Sequence, residues 1–516
     1  MVEQQQTKLI STRRYAVGAM RILAVLGWLW LTALIVLSLA QFPVRRHHFE
    51  SAGIAFGSAL FALAVLRSGN RVVSTDGAAV RVLSWSVPPV VGMAVFAWCL
   101  QLGPLSDDFI LHRWAETGDT QGWPYMRPIP LLIWRGVIAL GGSWTSLHAL
   151  NVIVHGLNSA LVARIGSAVA GPRAGLASGI LFAVFPASSE AVAWTAGVFD
   201  VVSTFFILLA VTLWLLPGAK RPVLALLPVL CVAALLSKES AVILPVLLIA
   251  MLFALRRSTS LPDVYRRSGL VLVLIVSTVY FLARLASSET VYAHTRALPS
   301  TRLEWKELLV RPFIGTFVPY RTDQGVNNDI YLSALAALVL LLIAARVALA
   351  ADRDESRSAS ASLALIGLCW TALSAFPLLL QFHVSNSLEG SRYLYLPAVG
   401  FAFSLGAAVA PSLGRPASIL AAAALGCLLI TSALRLGEER RVWFQAAGIR
   451  DDFLTQAAVA ALKSNCRTVD IAGAPDNFRG AYVFRNGLTD AMKELPLDPK
   501  GVTCRWSWES AFLKYE

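Results

Sequence analysis

The sequence predicts an all-α polytopic membrane protein with a small α/β domain at its C-terminal end, and three observations carry that expectation. The 516 residues are 56% hydrophobic and only 15% charged, with mean hydropathy +0.64, whereas a soluble domain is about half apolar and a quarter charged. Apolar windows close to twenty residues long recur along the chain, each enough to carry a helix across a hydrocarbon core of about 30 Å. From about residue 435 onward the apolar character is lost. The net charge of +13 does not point to nucleic acid. Cytoplasmic loops of membrane proteins concentrate Lys and Arg, and anionic lipid head groups and phosphate substrates are the natural partners of such charge.

Residues 1–81 read as a cytoplasmic N-terminus with Lys8, Arg13, Arg14 and Arg21, followed by two spans at 20–42 and 52–66. The first apolar run is too long for a signal-peptide core and lacks a clear small-residue cleavage site, so it reads as an uncleaved span. Residues 82–434 form the main transmembrane domain. Its spans are expected at 82–102, 145–165, 174–188, 197–216, 222–236, 240–255, 268–286, 330–350, 361–381, 393–411 and 417–434, about thirteen in all with the first two. Placing Arg67, Arg71, Arg81, Arg164, Arg173, Lys220, Arg221, Arg256, Arg257 and Arg353 inside satisfies the positive-inside tendency. Arg45 and Arg46, in the first external turn, are the exception in that set of loops. Loops 103–144 and 287–329 and the tail 435–516 then lie outside, the arrangement of a bacterial inner-membrane protein facing the periplasm.

In the tail, 436–463 reads as a helix with Trp443, Phe444, Ile449, Phe453 and Leu454 on its apolar face. Strands are expected at 468–472 and 480–484, with a turn at Pro475-Asp476-Asn477. Cys466 and Cys504 are the only cysteines of the tail, and in an oxidising compartment they are expected to pair, two free thiols being the alternative. Cys99, Cys231, Cys369 and Cys427 sit in apolar spans as small hydrophobes. A domain of about 80 residues is marginal alone, so a disulfide or docking to the membrane part would support it.

Five blocks occur in order: SDDF with YMRPIPLLIWRG, HALNVIVHGLNSALVARI, LFAVFPASSEAVAWTAGVFDVVS, LLSKESAVILPVLLI and GSRYLYLPAVGFAF. Their order resembles the membrane half of the transmembrane-and-TPR family of O-mannosyltransferases, and more broadly the glycosyltransferase C superfamily, whose members use polyprenyl-phosphate-linked sugars. The resemblance covers roughly residues 82–450. The chain departs from the family in its two extra N-terminal spans and in a tail without a TPR-like period. Phe185 replaces the family's His before Pro186, and Val198 replaces its Arg before the acid matched by Asp200. These departures bear on acceptor identity more than on chemistry.

The resemblance gives the polar residues roles that their chemistry can fill. Transfer of a sugar to a hydroxyl requires loss of the hydroxyl proton, which a carboxylate within about 2.6–3.2 Å can accept. Asp107 and Asp108 are adjacent, so each disfavours ionisation of the other. Asp107 is the candidate base and Asp108 its companion; a hydrated loop pair or helix cap is the plain alternative. Lys238, with Glu239 beside it, stands at the external face against the positive-inside tendency and suits a departing lipid phosphate, though a snorkelling ion pair also accounts for it. Arg392 presents a planar fork to phosphate, with the Tyr393 hydroxyl beside it; an interfacial aromatic belt is the alternative. Glu190 and Asp200 would support Lys238, Arg392 or the acceptor, or simply shape a turn.

His148, Asn151, His155 and Asn158 form one helical stripe, better read as polar packing than as metal ligands. Segment 303–320 reads as an amphipathic interfacial helix. No metal or cofactor is assigned, and a divalent metal stays open. The expected activity is transfer of a hexosyl or pentosyl group, with inversion, from a polyprenyl-phosphate donor to a protein or glycan acceptor. A flippase of lipid-linked glycan precursors is the alternative, disfavoured because no internal repeat is visible and the acids gather at one face.

Overall fold

The computed structural model describes residues 77–118, 127–216, 226–255, 263–286, 316, 318–349, 355–379, 384–409, 415–463, 468–471, 473–495, 505–508 and 513–515. The expected spans 20–42 and 52–66, most of the 303–320 segment, and the cysteines Cys466 and Cys504 lie outside the described residues.

The membrane part is helical throughout. Helix α1 (Gly77–Phe96) runs into a 3₁₀ turn, Ala97–Gln101. The external loop expected at 103–144 is itself helical, holding α2 (Asp108–Thr117) and α3 (Pro128–Ala139). Local chemistry sets their ends: Gly118 closes α2 in the left-handed conformation, and Pro128 opens α3, where no backbone N–H is needed. Helix α4 (Trp144–Ala170) is packed on α1 and on α5 (Pro172–Ala183). The apolar stretch expected as one span at 174–188 is broken. After α5 the chain turns through Pro186–Ser188 into the short α6 (Ser189–Ala193), bent by 54° from α5. It then turns through Thr195–Gly197 into α7 (Val198–Leu215). Pro186 lacks an N–H and forces Phe185 extended (φ −69°, ψ 113°), so the helix cannot continue.

Breaking a helix within a membrane strands backbone carbonyls, and buried side chains must satisfy them. The polar stripe of α4 does so. The His155 Nε2 lies 3.1 Å from the Ala183 carbonyl, while Asn151 donates to the carbonyls of Trp194 (3.0 Å) and Thr195 (3.3 Å). Since a carbonyl only accepts, His155 carries its proton on Nε2, and its Nδ1 accepts from the Tyr395 hydroxyl at 2.8 Å. Asn158 donates to the Val201 carbonyl (2.9 Å) and to the Tyr395 oxygen (3.1 Å). His148, Asn151, His155 and Asn158 are all fully buried. The stripe is a scaffold for the broken span.

Further along are α8 (Leu226–Leu235), a 3₁₀ turn at Glu239–Ile243, α9 (Leu244–Leu255), α10 (Asp263–Ala286), α11 (Asn328–Leu349) and α12 (Glu355–Leu379). A 3₁₀ turn at Ser391–Leu394 leads into α13 (Tyr395–Gly406). Helices α12 and α13 cross in near backbone contact: a Cβ added at Gly367 would lie 2.5 Å from the Gly400 carbonyl oxygen, so small residues set this crossing. Six helices among the described residues are long and apolar enough to cross a membrane, or seven if the bent pair counts as one, with shorter apolar helices beside them. The protein is an integral membrane protein.

Helix α14 (Arg415–Lys463) is 49 residues long, roughly 70 Å at helical rise. The span expected at 417–434 and the tail helix expected at 436–463 are therefore one continuous rod, with no linker at residue 435. Gly437 alone disfavours helix by only about 1 kcal/mol, and ion pairs clamp the passage. Arg435 pairs with Asp329 of α11, and buried Glu439 receives both Arg321 Nε (2.5 Å) and Nη2 (2.9 Å). Arg321 also donates to the carbonyls of Ser387 and Arg479, tying the tail to the membrane part.

Beyond α14, β1 (Thr468–Ile471) pairs in parallel with β4 (Arg505–Trp508). β2 (Pro475–Phe478) lies between antiparallel β3 (Ala481–Tyr482) and parallel β5 (Leu513–Tyr515). The turn expected at Pro475-Asp476-Asn477 is thus a strand. Proline is tolerated at a strand's first position, and the Asp476 carbonyl accepts from the Val483 amide at 2.9 Å. Helix α15 (Leu488–Lys493) packs against α2.

Candidate active site

At one end of the bundle, between the helix ends and the tail domain, polar side chains from distant parts of the sequence converge. Asp107 and Asp108 open α2, and their environments differ sharply. Asp108 is fully buried and accepts the Leu105 amide at 2.8 Å and the Ala196 amide at 2.7 Å. It therefore staples the loop before α2 to the turn before α7. Burial lifts its carboxyl to about 7 against these hydrogen bonds. Asp107 is partly exposed. Burial raises its carboxyl too, opposed by a hydrogen bond from Asn486 and by the charge of Arg392. The Asn486 amide donates to Asp107 Oδ1 at 2.7 Å. Of the two, Asp107 has a carboxylate face left for a reacting group.

Three cations stand nearby, each with a carboxylate. Lys238 pairs with Asp200, and its ammonium sits 4.8 Å over the Tyr393 ring. Burial lowers the Lys238 ammonium, and the Asp200 charge opposes that. Arg392 pairs with Glu190 and donates to the Tyr393 hydroxyl at 3.2 Å. Its guanidinium carbon lies 4.8 Å from the Trp194 and Tyr393 ring centres and 5.6 Å from that of Tyr482. Arg127 grips Glu239 through both Nε (2.9 Å) and Nη2 and lies over Phe199. Trp194 in turn donates from its indole to the Leu105 carbonyl at 2.9 Å and packs on Tyr482 with ring centres 4.8 Å apart.

Sequence reasoning nominated Asp107, Asp108, Glu190, Asp200, Lys238, Glu239, Arg392 and Tyr393, and all of them meet in this one cluster. Glu239, expected beside Lys238, turns instead to Arg127. Reasoning from sequence passed over Arg127, Trp194, Tyr482, Arg485 and Asn486. Arg127 carried a usable signal, since in the expected topology it opposes the positive-inside tendency just as Lys238 does. Tyr482, Arg485 and Asn486 carried none, because they reach the site only through docking of the tail domain. Arg485 is held there by Asp476 at 3.0 and 2.8 Å and by Glu389, with Tyr482 beneath it at 4.5 Å. Among the described residues no group of three or more His, Cys, Asp and Glu side chains is placed to hold a metal ion.

No family model matches the sequence. A curated relative, the protein O-mannosyl-transferase Tmtc2 of Drosophila melanogaster, is 33% identical over 166 residues. The match covers 30% of this chain and 17% of the relative. Among solved structures, ArnT from Cupriavidus metallidurans in the apo state is 14% identical, covering 82% of this chain and 89% of its own, with TM-score 0.47. The same protein bound to undecaprenyl phosphate gives TM-score 0.43 at 13% identity, with the same coverage. An Archaeoglobus fulgidus oligosaccharyltransferase tethered with an acceptor peptide gives TM-score 0.41 at 12% identity, covering 73% of this chain and 57% of that chain. In sequence, the chain is similar to a protein O-mannosyl-transferase, of whose length the match spans less than a fifth.

Proposed function

We propose that this chain is a membrane glycosyltransferase that moves a sugar from a polyprenyl-phosphate donor to a hydroxyl acceptor on the extracytoplasmic face of a bacterial inner membrane. One observation carries the reading: a partly exposed carboxylate, Asp107, lies within reach of the charge of Arg392, which stands with Lys238 and Arg127 in one cluster of paired cations. A base and an anion site side by side are what displacement of a phosphate by a hydroxyl requires. Asp107 takes the acceptor proton while the acceptor oxygen bonds to the anomeric carbon. The bond from that carbon to the phosphate oxygen breaks, its electron pair leaves with the polyprenyl phosphate, and Arg392 and Lys238 meet the released charge. Attack opposite the leaving group inverts the anomeric configuration. Tyr393 steadies Arg392, while Glu190, Asp200 and Glu239 hold the cations in place before the donor arrives. The acceptor is a protein or a glycan.

The test is to incubate purified protein in lipid with a panel of polyprenyl-phosphate sugars and candidate acceptors, read by mass spectrometry. A glycosylated product from wild type, and none from Asp107→Asn, is the expected result. Movement of lipid-linked sugar across the bilayer with no covalent product in any combination would replace the reading with that of a flippase.

A further inference from the structure

We propose that Asn486, in the tail domain, is the positioning residue for Asp107, so that the site is complete only when the 482–487 segment is docked. The inference rests on the role given to Asp107 above and adds a partner from the far end of the sequence, 379 positions away.

Several contacts zip this segment onto the residues around Asp107. The Ser106 amide donates to the Val483 carbonyl at 2.8 Å, and the Asn486 amide N–H donates to Ser106 Oγ at 3.3 Å. Gly487, in the left-handed region at φ 80°, passes so close that an added Cβ would lie 2.2 Å from the Ser106 carbonyl oxygen. Ser106 itself is held at φ 50°, a conformation disfavoured for a residue with a side chain and kept only where surroundings enforce it. A strained residue immediately before Asp107, and a glycine whose backbone conformation and close approach both exclude a side chain, are signs that this docking is built in. The outcome is geometric. The Asn486 side-chain amide and, at 3.4 Å, the Ser106 hydroxyl both direct hydrogen to Asp107 Oδ1. Held by one oxygen, the carboxylate offers the other, Oδ2, to an acceptor hydroxyl.

Asn486 suits the task by its chemistry. Its NH₂ donates to a carboxylate without bringing charge, so it orients Asp107 without neutralising it as a Lys or Arg contact would. The other groups acting on Asp107 are Ser106 from the loop before α2, Arg392 from the turn before α13, Arg485 from the tail, and Asp108 from α2. Asn486 is a neutral donor, as is the Ser106 hydroxyl, and at 2.7 Å against 3.4 Å it makes the shorter contact. It is exposed and lies outside any packed core, so its replacement leaves the fold intact.

Asn486→Ala and Asn486→Asp are the test, with Lys493→Gln as a control on the neighbouring helix. The readout is the pH dependence of carbodiimide-and-amine labelling at Asp107, followed by peptide mass spectrometry, because carbodiimide reacts with the protonated carboxyl. Loss of a donor to the charged form raises the midpoint, by on the order of one pH unit for Ala, and further for Asp, where a second carboxylate replaces the donor. The acid limb of turnover moves up in step, so activity on that limb falls about tenfold, whereas a merely structural effect lowers the plateau and leaves the limb in place. Unchanged labelling midpoints in both variants overturn the proposal. Labelling does not require turnover, so a protein that shows the shift but transfers no sugar retains the Asn486–Asp107 pairing and loses the transferase reading.

Discussion

Replacing Asp107 and Asp108 separately with Asn should split activity from stability. The Asp108 carboxylate serves two buried amides, those of Leu105 and Ala196, at 2.8 and 2.7 Å. An Asn side chain has one accepting oxygen, so one amide must face its NH₂. An unmet buried donor costs about 1–3 kcal/mol, and the misplaced NH₂ adds to that. The wild-type carboxyl is raised from 3.8 to about 7 by burial. Its contribution is therefore fully present below about pH 4 and lost as pH rises through about 7. Asn has no such dependence, so the stability gap between wild type and Asp108→Asn should narrow from pH 6 to pH 8.5. Asp107 accepts from Asn486 and Ser106 at a partly exposed position, so Asp107→Asn should unfold close to wild type. Its turnover should drop by about 10²–10⁴-fold, the usual contribution of a general base. Unfolding in lipid nanodiscs at the two pH values, with turnover measured on the same preparations, decides it. Near-normal turnover in Asp107→Asn, or a gap for Asp108→Asn that widens with pH, would refute the reasoning.

Two further substitutions follow from the ion pairs. On the proposed reading, Arg392→Ala removes a charge-assisted phosphate contact of roughly 1.5–3 kcal/mol, and it also strands Glu190, which is 2% exposed. The double variant Arg392→Ala/Glu190→Gln should regain thermal stability without regaining donor use, and donor kinetics that recover with stability would remove Arg392 from the donor site. Arg321→Met leaves Glu439 as a buried, unpaired acid and should cost about 3–5 kcal/mol. Adding Glu439→Gln should return most of it in an unfolding assay, and a double variant no better than the single would show that the carbonyl contacts of Arg321 dominate.

Most of the membrane fold was legible because the hydrophobic requirement acts locally: a window of apolar residues announces its own helix. What escaped depends on long-range satisfaction of the backbone. The break after α5 was hidden because its residues are as apolar as an intact span, and only Pro186 hinted at it. The stripe His148-Asn151-His155-Asn158 was legible as polar packing, yet which carbonyls it served was not, since those belong to residues up to 45 positions away. The fused α14 was missed for the opposite reason. Charges at Arg435, Glu438 and Glu439 look like the end of a span, but they are the pairing points with Asp329, Arg479 and Arg321 that carry the helix past the membrane.

The site's electrostatics give those same rules a common ground. A lone cation buried where helix ends meet a docked domain is costly, and each of the three here is matched: Arg127 by Glu239, Lys238 by Asp200, Arg392 by Glu190. Such pairs need not add stability, because their desolvation offsets most of their attraction. Their physical value is that they hold cations at fixed positions before an anion arrives, with little net charge in a low-dielectric setting. On the proposed reading, an entering phosphate would meet preset donors that need little reorganisation, which is the condition under which electrostatic stabilisation of a leaving group is strongest. Five of these six residues were legible as candidates because charges are rare near apolar spans. Glu239 was legible as a charge but matched to the wrong neighbour, and Arg127 was overlooked. Both failures have one origin: composition shows that a charge needs a partner, while only the fold decides which partner it finds.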